Sequence, residues 1–351
     1  MSPARRITLA RVAEEAGVSV STASRALRGR GDMSADTRTR ALHAAEALGY
    51  TFAGESRGRP RDRTAGVIDL VFGNFHDPYT DEVVAGARTT AAALRYDLVL
   101  TTDRPDPEDD WPHRIRTRGT AGVIVGLKMP TAAQAALLRE AGIPLVLLDP
   151  PSEAPASLPS IRTTDRAGGV AAAEHLLARG AQRFILIGGT PSYRFGRARV
   201  DGFTSTVHSR APKTRIVRVD ADWGASGAAA ACARALRELD GQGPIGLFAC
   251  NDEMAVGAYR AIADAGLAVP RDVLVVGFDD VRGARWLHPP LTTIRQPLRE
   301  MGAAAVRTLV RGIEGREPAA ETIELPTALV VRGSTTHAPA SSHPSARTLE
   351  A

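Results

Sequence analysis

The chain has 351 residues, 44% of them hydrophobic and 24% charged, with a formal net charge of +5. That length exceeds one typical core, and two cysteines exclude a disulfide-stapled scaffold. No apolar run approaches the roughly 20 residues of a membrane span, and the N-terminal stretch is not of signal-peptide type, so a cytoplasmic protein is expected.

Thr8 stands just before an apolar pattern of Leu9, Val12, Ala13 and Ala16, spaced i, i+3, i+4, i+7, and is suited to cap a helix there. Gly17 stops that helix, since glycine accepts the left-handed conformation a helix end needs. Ser19 caps a second segment with Thr22, Ala23, Ala26 and Leu27 as its buried stripe. A third helix runs from Ser34, with Asp36 in its first turn, Ala41, Ala44, Ala45 and Leu48 facing inward, and Gly49 at its end. Two helices joined by a short glycine turn and closed by a third form a helix-turn-helix. Charge agrees with this. Residues 1–63 hold 12 Arg, no Lys and 7 acidic residues, so their surplus equals that of the whole chain and residues 64–351 are balanced. A positive excess confined to the head suits contact with phosphates.

The string Thr8-Leu9-Ala10-Arg11-Val12-Ala13-Glu14-Glu15-Ala16-Gly17-Val18-Ser19, with Ser21-Thr22-Ala23-Ser24-Arg25-Ala26-Leu27, closely resembles the N-terminal signature of the LacI/GalR family of bacterial transcription regulators. Ser34 through Tyr50 is similar to that family's third helix. The resemblance implies that the second helix enters the major groove, where Val20, Ser21 and Arg25 would reach base edges. Arg25 can grip guanine bidentately, which is worth roughly 1–3 kcal/mol of discrimination. Val20 offers apolar contact to a thymine methyl. Thr22 and Ser24 would touch phosphate, and Thr8, Ser19 and Arg28 complete the expected DNA-contacting set.

The next segment departs from the family, whose members follow the head with a hinge helix that wedges a leucine into the minor groove. Here Arg59 occupies the leucine's place, Gly54 and Gly58 each disfavour helix by about 1 kcal/mol, and Pro60 blocks continuation. Arg57-Gly58-Arg59-Pro60 instead resembles an AT-hook, in which arginines lie in a narrow A·T minor groove. A merely basic, flexible linker is the alternative.

From about residue 64 the rhythm changes. Gly66–Phe72, Asp97–Thr101, Gly122–Gly126, Pro144–Leu148, Phe184–Ile187, Arg215–Val219, Ile245–Ala249 and Val273–Phe278 are strand-like. Alanine-rich helical patterns, such as Asp81–Leu94, separate them. This alternation predicts two α/β lobes with doubly wound parallel sheets. Asn251-Asp252-Glu253-Met254-Ala255-Val256-Gly257, Val276-Gly277-Phe278-Asp279-Asp280 and Pro289-Pro290-Leu291-Thr292-Thr293-Ile294-Arg295-Gln296 resemble the periplasmic-binding-protein-like core of the same family. The expected organisation is a head at 1–52, a basic linker at 53–63, a core at 64–337 and a disordered Pro/Ser/Ala-rich tail at 338–351. The resemblance implies three crossings between the lobes, near 162, 292 and 326. That gives an N-lobe of about 64–162 and 293–325 and a C-lobe of about 163–292 and 326–337.

Polar residues just after apolar strands of an open parallel sheet point into the crevice where ligands bind. Asp149, Asn251 and Asp279 hold such positions. The resemblance adds Arg197 as a ligand-binding arginine, Trp223 as a stacking aromatic, and Asp77 and Tyr79 in the same cleft. Acids, an arginine, an amide and a flat aromatic suit a sugar's hydroxyls and C–H face. Capping of neighbouring helices is the alternative for Asp149 and Asp279, and Asp252 and Asp280 read as caps.

Cys232 and Cys250 read as buried small residues, the eight His show no clustered ligand spacing, and no phosphate loop or nucleophile elbow occurs. No enzyme activity, cofactor or metal is expected. The tail's single leucine, Leu349, cannot supply a tetramerising zipper. The expected protein is a homodimeric repressor that binds a near-palindromic double-stranded operator and is released by a sugar. A purine or other non-sugar corepressor, and a sugar-binding module of the same fold, are the alternatives. If the linker reads the minor groove, Arg57→Ala with Arg59→Ala weakens binding more on operators with A·T-rich centres. Anisotropy titrations on A·T- and G·C-centred duplexes check this, and equal losses on both would discard the idea.

Overall fold

A computed structural model describes residues 8–27, 33–48, 50, 66–104, 110–239, 241–316 and 321–336, in two units divided between residues 62 and 63. Arg28, Gly49, the linker arginines Arg57 and Arg59, and the tail lie outside the described residues.

The first unit holds α1 (Leu9–Glu15), α2 (Val20–Leu27) and α3 (Ala35–Ala47). Thr8 caps α1, accepting from the Arg11 N–H at 3.4 Å, and Ser34 caps α3, accepting from the Thr37 N–H at 3.2 Å. Gly17 takes φ +64°, and the Ser19 hydroxyl accepts from the Thr22 N–H at 3.1 Å as α2 begins. The small core of Val12, Ala16, Ala26, Ala41, Ala44 and Ala45 lets three short helices pack closely.

The second unit is built on two six-stranded sheets. The first contains β1 (Gly66–Phe72), β2 (Tyr96–Thr102), β3 (Gly122–Gly126), β4 (Leu145–Leu148), β5 (Ser160–Thr163) and β11 (Thr322–Leu325). Its order is β11-β5-β4-β3-β1-β2, parallel throughout. The second contains β6 (Arg183–Gly188), β7 (Ile216–Asp220), β8 (Ile245–Ala249), β9 (Val273–Asp279), β10 (Thr292–Arg295) and β12 (Ala328–Val330). Its order is β12-β10-β9-β8-β6-β7, and only β12 runs antiparallel. The central strands are buried along their whole length, as a sheet covered by helices on both faces requires. Asp69 on β1 is fully buried, and its carboxylate is met by Thr101 Oγ1 at 2.5 Å, Thr120 Oγ1 at 2.6 Å and Arg118 Nη1 at 2.5 Å.

The chain passes between the sheets three times. β5 leads through Thr164 to α7 (Asp165–Ala178), which packs on the second sheet. β10 leads through Gln296 and Pro297 to α11 (Leu298–Ile313), which packs on the first. The third passage, at residues 326–327, joins β11 to β12. The second crossing was expected near 292. It falls later because Thr292–Arg295 pairs with β9 and so stays in the second sheet.

Among the described residues, three helix pairs meet backbone to backbone, one of them where Gly257 faces the Ala225 carbonyl. A Cβ on Gly86 of α4 (Pro78–Ala93) would stand 1.9 Å from the Arg299 carbonyl oxygen of α11. One on Gly202 of α8 (Arg194–Arg210) would stand 2.1 Å from the Arg166 oxygen of α7. Gly202→Ala is expected to cost about 1–3 kcal/mol through this overpacking. Gly283→Ala, where nothing lies within 4 Å, should be neutral. Paired thermal unfolding curves check the contrast.

Candidate effector site and nucleic-acid interface

Between the lobes lies a cavity of about 360 Å³ into which the ends of β4, β8 and β9 run. Six non-glycine residues among those described have positive φ, and four of them line it: Leu127 (53°), Asp149 (45°), Trp223 (70°) and Asp279 (113°). Such conformations cost of order 1–3 kcal/mol each and persist where the surroundings over-determine them, commonly at binding sites.

The floor is a buried ion network. Arg194 Nη2 donates to Asp149 Oδ1 at 3.0 Å and to Asp165 Oδ2 at 3.3 Å. Arg199 donates from Nε to Asp165 Oδ1 at 2.9 Å and from Nη1 to the Cys250 carbonyl at 2.7 Å; Nη1 lies 3.7 Å from Asp279 Oδ1. The Arg199 guanidinium sits 3.8 Å over the Phe278 ring. Gln296 donates to Asp279 Oδ1 at 2.6 Å and accepts from Thr163 at 2.7 Å, while the Tyr79 hydroxyl points to Asp149 Oδ2 at 3.4 Å. Three carboxylates thus face two guanidiniums. Burial pushes Asp149 up to about 7, with the nearby Asp165 charge adding to it, and burial likewise pushes Asp279 up to about 7 against the pull of Arg199.

Asp77, Tyr79, Asp149, Trp223, Asn251 and Asp279 all line the cavity. Asp77 and Asn251 are also caps: Asp77 Oδ1 accepts from the Thr80 N–H, and Asn251 Oδ1 from the Met254 N–H at the start of α10 (Asp252–Asp264). Asn251 also donates to the Trp223 carbonyl at 3.0 Å. Neither Asp149 nor Asp279 caps a helix. Asp252 is not the cap it was read as; it is buried, accepting from the Val281 N–H and the Thr293 hydroxyl. Asp280 is likewise an ion-pair acceptor for Arg295 and Arg332.

Arg197 does not reach the cavity. It is exposed and donates to the carbonyls of Pro191 and Ser192. Arg199 holds the place expected of it. Two residues on a helix differ by about 200°, and Arg199 shares its face with the buried Phe195 and Phe203 at i−4 and i+4. An arginine in the middle of that apolar stripe was the available signal. Tyr193, Phe195 and Trp223 form the aromatic wall, with ring centroids 5.2–6.1 Å apart. Gly189 and Gly196 leave room for the indole, whose buried Nε1 has no partner among the described residues.

In the first unit, Val20, Ser21 and Arg25 are exposed on α2, Val20 at 49%. Thr22 and Ser24 are half-buried beside them; Ser19 and Thr8 are taken up as caps yet remain exposed. No helix of the described residues is long and apolar enough to cross a membrane.

A helix-turn-helix head with an open recognition helix, joined in one chain to a two-lobed core with a polar cleft, defines a DNA-binding regulator with a small-molecule site. Residues 8–51 match the bacterial regulatory proteins of the lacI family, and residues 173–335 match the periplasmic binding protein-like domain. The transcriptional regulator MalR of Streptomyces coelicolor is 36% identical over 94% of this chain and 97% of its own length. A complex of the regulator CelR with cellobiose aligns with TM-score 0.69 and 27% identity, covering 94% of this chain and 100% of that one. A lac repressor dimer bound to operator and the anti-inducer ONPF aligns with TM-score 0.68 and 27% identity, covering 95% and 100%. The chain belongs to the LacI family of bacterial transcriptional regulators.

The raised carboxyl groups tie stability to pH. Asp149 and Asp279 keep their protons to about pH 7 in the folded core and lose them near 3.8 in the unfolded chain. The folded state therefore binds more protons between these values, and this contribution to stability falls as pH rises from about 4 to about 7. Asp149→Asn should show a smaller drop in Tm between pH 5.5 and 7.5 than the wild type, measured by scanning calorimetry.

Proposed function

We propose that this protein is a cytoplasmic, homodimeric repressor of genes for carbohydrate uptake or breakdown, released from its operator by a sugar, with no catalytic activity of its own. The observation that carries this reading is the cleft itself. Buried carboxylates, a guanidinium and an amide stand beside an aromatic wall, where hydroxyls find both acceptors and donors and a ring's C–H face finds a flat partner. The cellobiose bound to CelR and the operator bound to the lac repressor support it by kinship.

Asp149 belongs to the first lobe and Arg194 to the second, so their 3.0 Å ion pair is a bond between lobes. A ligand hydroxyl that competes for Asp149 acts directly on that bond and shifts the lobes between closed and open arrangements. Two heads related by a two-fold axis read a near-palindrome, and a change in lobe arrangement misaligns them. Linkage is reciprocal, so operator DNA weakens sugar binding by the same factor.

Fluorescence anisotropy on labelled DNA from the chain's own upstream region, at fixed salt and with a panel of sugars and purines, tests the reading. Release by one sugar is expected; tightening by a purine, or no response to any sugar, would overturn it. Arg25→Ala should weaken operator binding by roughly 5–150-fold, corresponding to the loss of about 1–3 kcal/mol of base recognition. Asp279→Asn should keep operator affinity while shifting the sugar concentration for release at least tenfold upward.

A further inference from the structure

A second cavity, of about 540 Å³, opens beside the second crossing, and Asp279 and Gln296 line both it and the effector cleft. The second lobe contributes Arg282 and Arg285, from the 3-10 turn after β9, and Arg295 at the end of β10. The first lobe contributes Arg299, on the first turn of α11, and Glu82 of α4.

Four arginines and four acids line this cavity, but the acids are engaged unevenly, and Asp279 turns to Arg199 and Gln296. Asp280, whose side chain is 2% exposed, is already paired by Arg332 from outside the wall, and Glu300 is paired by Arg307, also from outside. Glu82 is matched by Arg299 at 2.5 Å. Arg295 at 2.7 Å and Arg285 at 4.0 Å then converge on the one remaining oxygen, Asp280 Oδ2, and Arg282 has no acidic partner among the described residues. Three guanidiniums on one wall thus have a single carboxylate oxygen between them, in a cavity large enough for a small molecule. Planar guanidinium forks match the oxygens of a phosphate, and such charge-assisted pairs are the strong ones.

We propose that this cavity binds a phosphate group, free or as a phosphomonoester, through Arg282, Arg285 and Arg295, with Arg299 facing it across the crossing. The effector cleft's guanidinium, that of Arg199, is already engaged by Asp165 and Asp279, so an anion is directed to the second cavity rather than the first. Because its walls belong to different lobes, occupancy favours one lobe arrangement. Through Asp279 and Gln296 it couples to whatever the first cavity holds.

Thermal unfolding of the full chain in inorganic phosphate, against sodium chloride at matched ionic strength, tests this. A saturable rise in Tm at millimolar phosphate is expected beyond that in chloride. In the Arg282→Ala/Arg285→Ala double variant, whose substituted side chains are exposed, the midpoint concentration should move at least tenfold higher. Arg307→Ala removes a guanidinium outside the wall and should respond as the wild type does. Calorimetric titration with inorganic phosphate and with glycerol phosphate separates the two sources, tighter binding marking the natural occupant. An equal rise in chloride, or a double variant that responds like the wild type, overturns the proposal.

Discussion

Arg199 is a guanidinium held almost wholly out of water, with 3% of its side chain exposed. A buried charge is tolerated only when paired and hydrogen-bonded, and the cleft is arranged around meeting that demand. Asp165, the first residue of α7, stands just past the first crossing; Asp279 ends β9, against Gln296 of the second crossing. The Cys250 carbonyl that takes the other nitrogen follows β8. One side chain thereby fixes the ends of three elements at the junction of the lobes, and Arg194 extends the same network to Asp149 in the first lobe.

The surplus carboxylate in that network has a chemical meaning. A site balanced for its own ion pairs has little to offer a ligand, whereas three acids facing two guanidiniums retain acceptor capacity that neutral hydroxyls can use. The strained backbone at Asp149, Trp223 and Asp279 is of one piece with this. These residues are turned away from their easiest conformations, and the adjoining strands and ion pairs hold them there. The aromatic wall adds a surface for apolar faces, so polarity and flatness are supplied from different sides of one cavity.

Much of this was legible in the order of residues. Gly66–Phe72, Gly122–Gly126 and Ile245–Ala249 form strands with the expected bounds, because apolar runs of five to seven residues between turn signals have few other uses. The strands at the crossings were missed as strands. Ser160–Thr163 and Thr292–Arg295 are four residues long with a single apolar residue each, and their pairing is dictated by neighbours far away in sequence. The strand-end rule found Asp149, Asn251 and Asp279, since it depends only on local order. It could not find Arg194, whose role exists only because a helix of one lobe reaches an acid of the other, or Asp165, which begins a helix and meets arginines some thirty residues on. Arg197 shows the limit of positional resemblance, because a shift of two residues carries a side chain to the opposite face of a helix.

The three crossings also set the order in which this protein comes into being. The three helices of the head, with their own small core, all lie before residue 50 and are made ahead of the whole core. Each sheet of the core, by contrast, receives its final strand only at β11 and β12, a few residues apart and close to residue 330. At ribosomal speeds of about 5–20 residues per second, roughly a quarter of a minute to a minute separates the two events. Neither lobe can finish folding ahead of the other, so during synthesis the part that meets nucleic acid exists well before the part that senses. A chain cut short between α3 and β11 would keep the folded head and lack a complete sensing core.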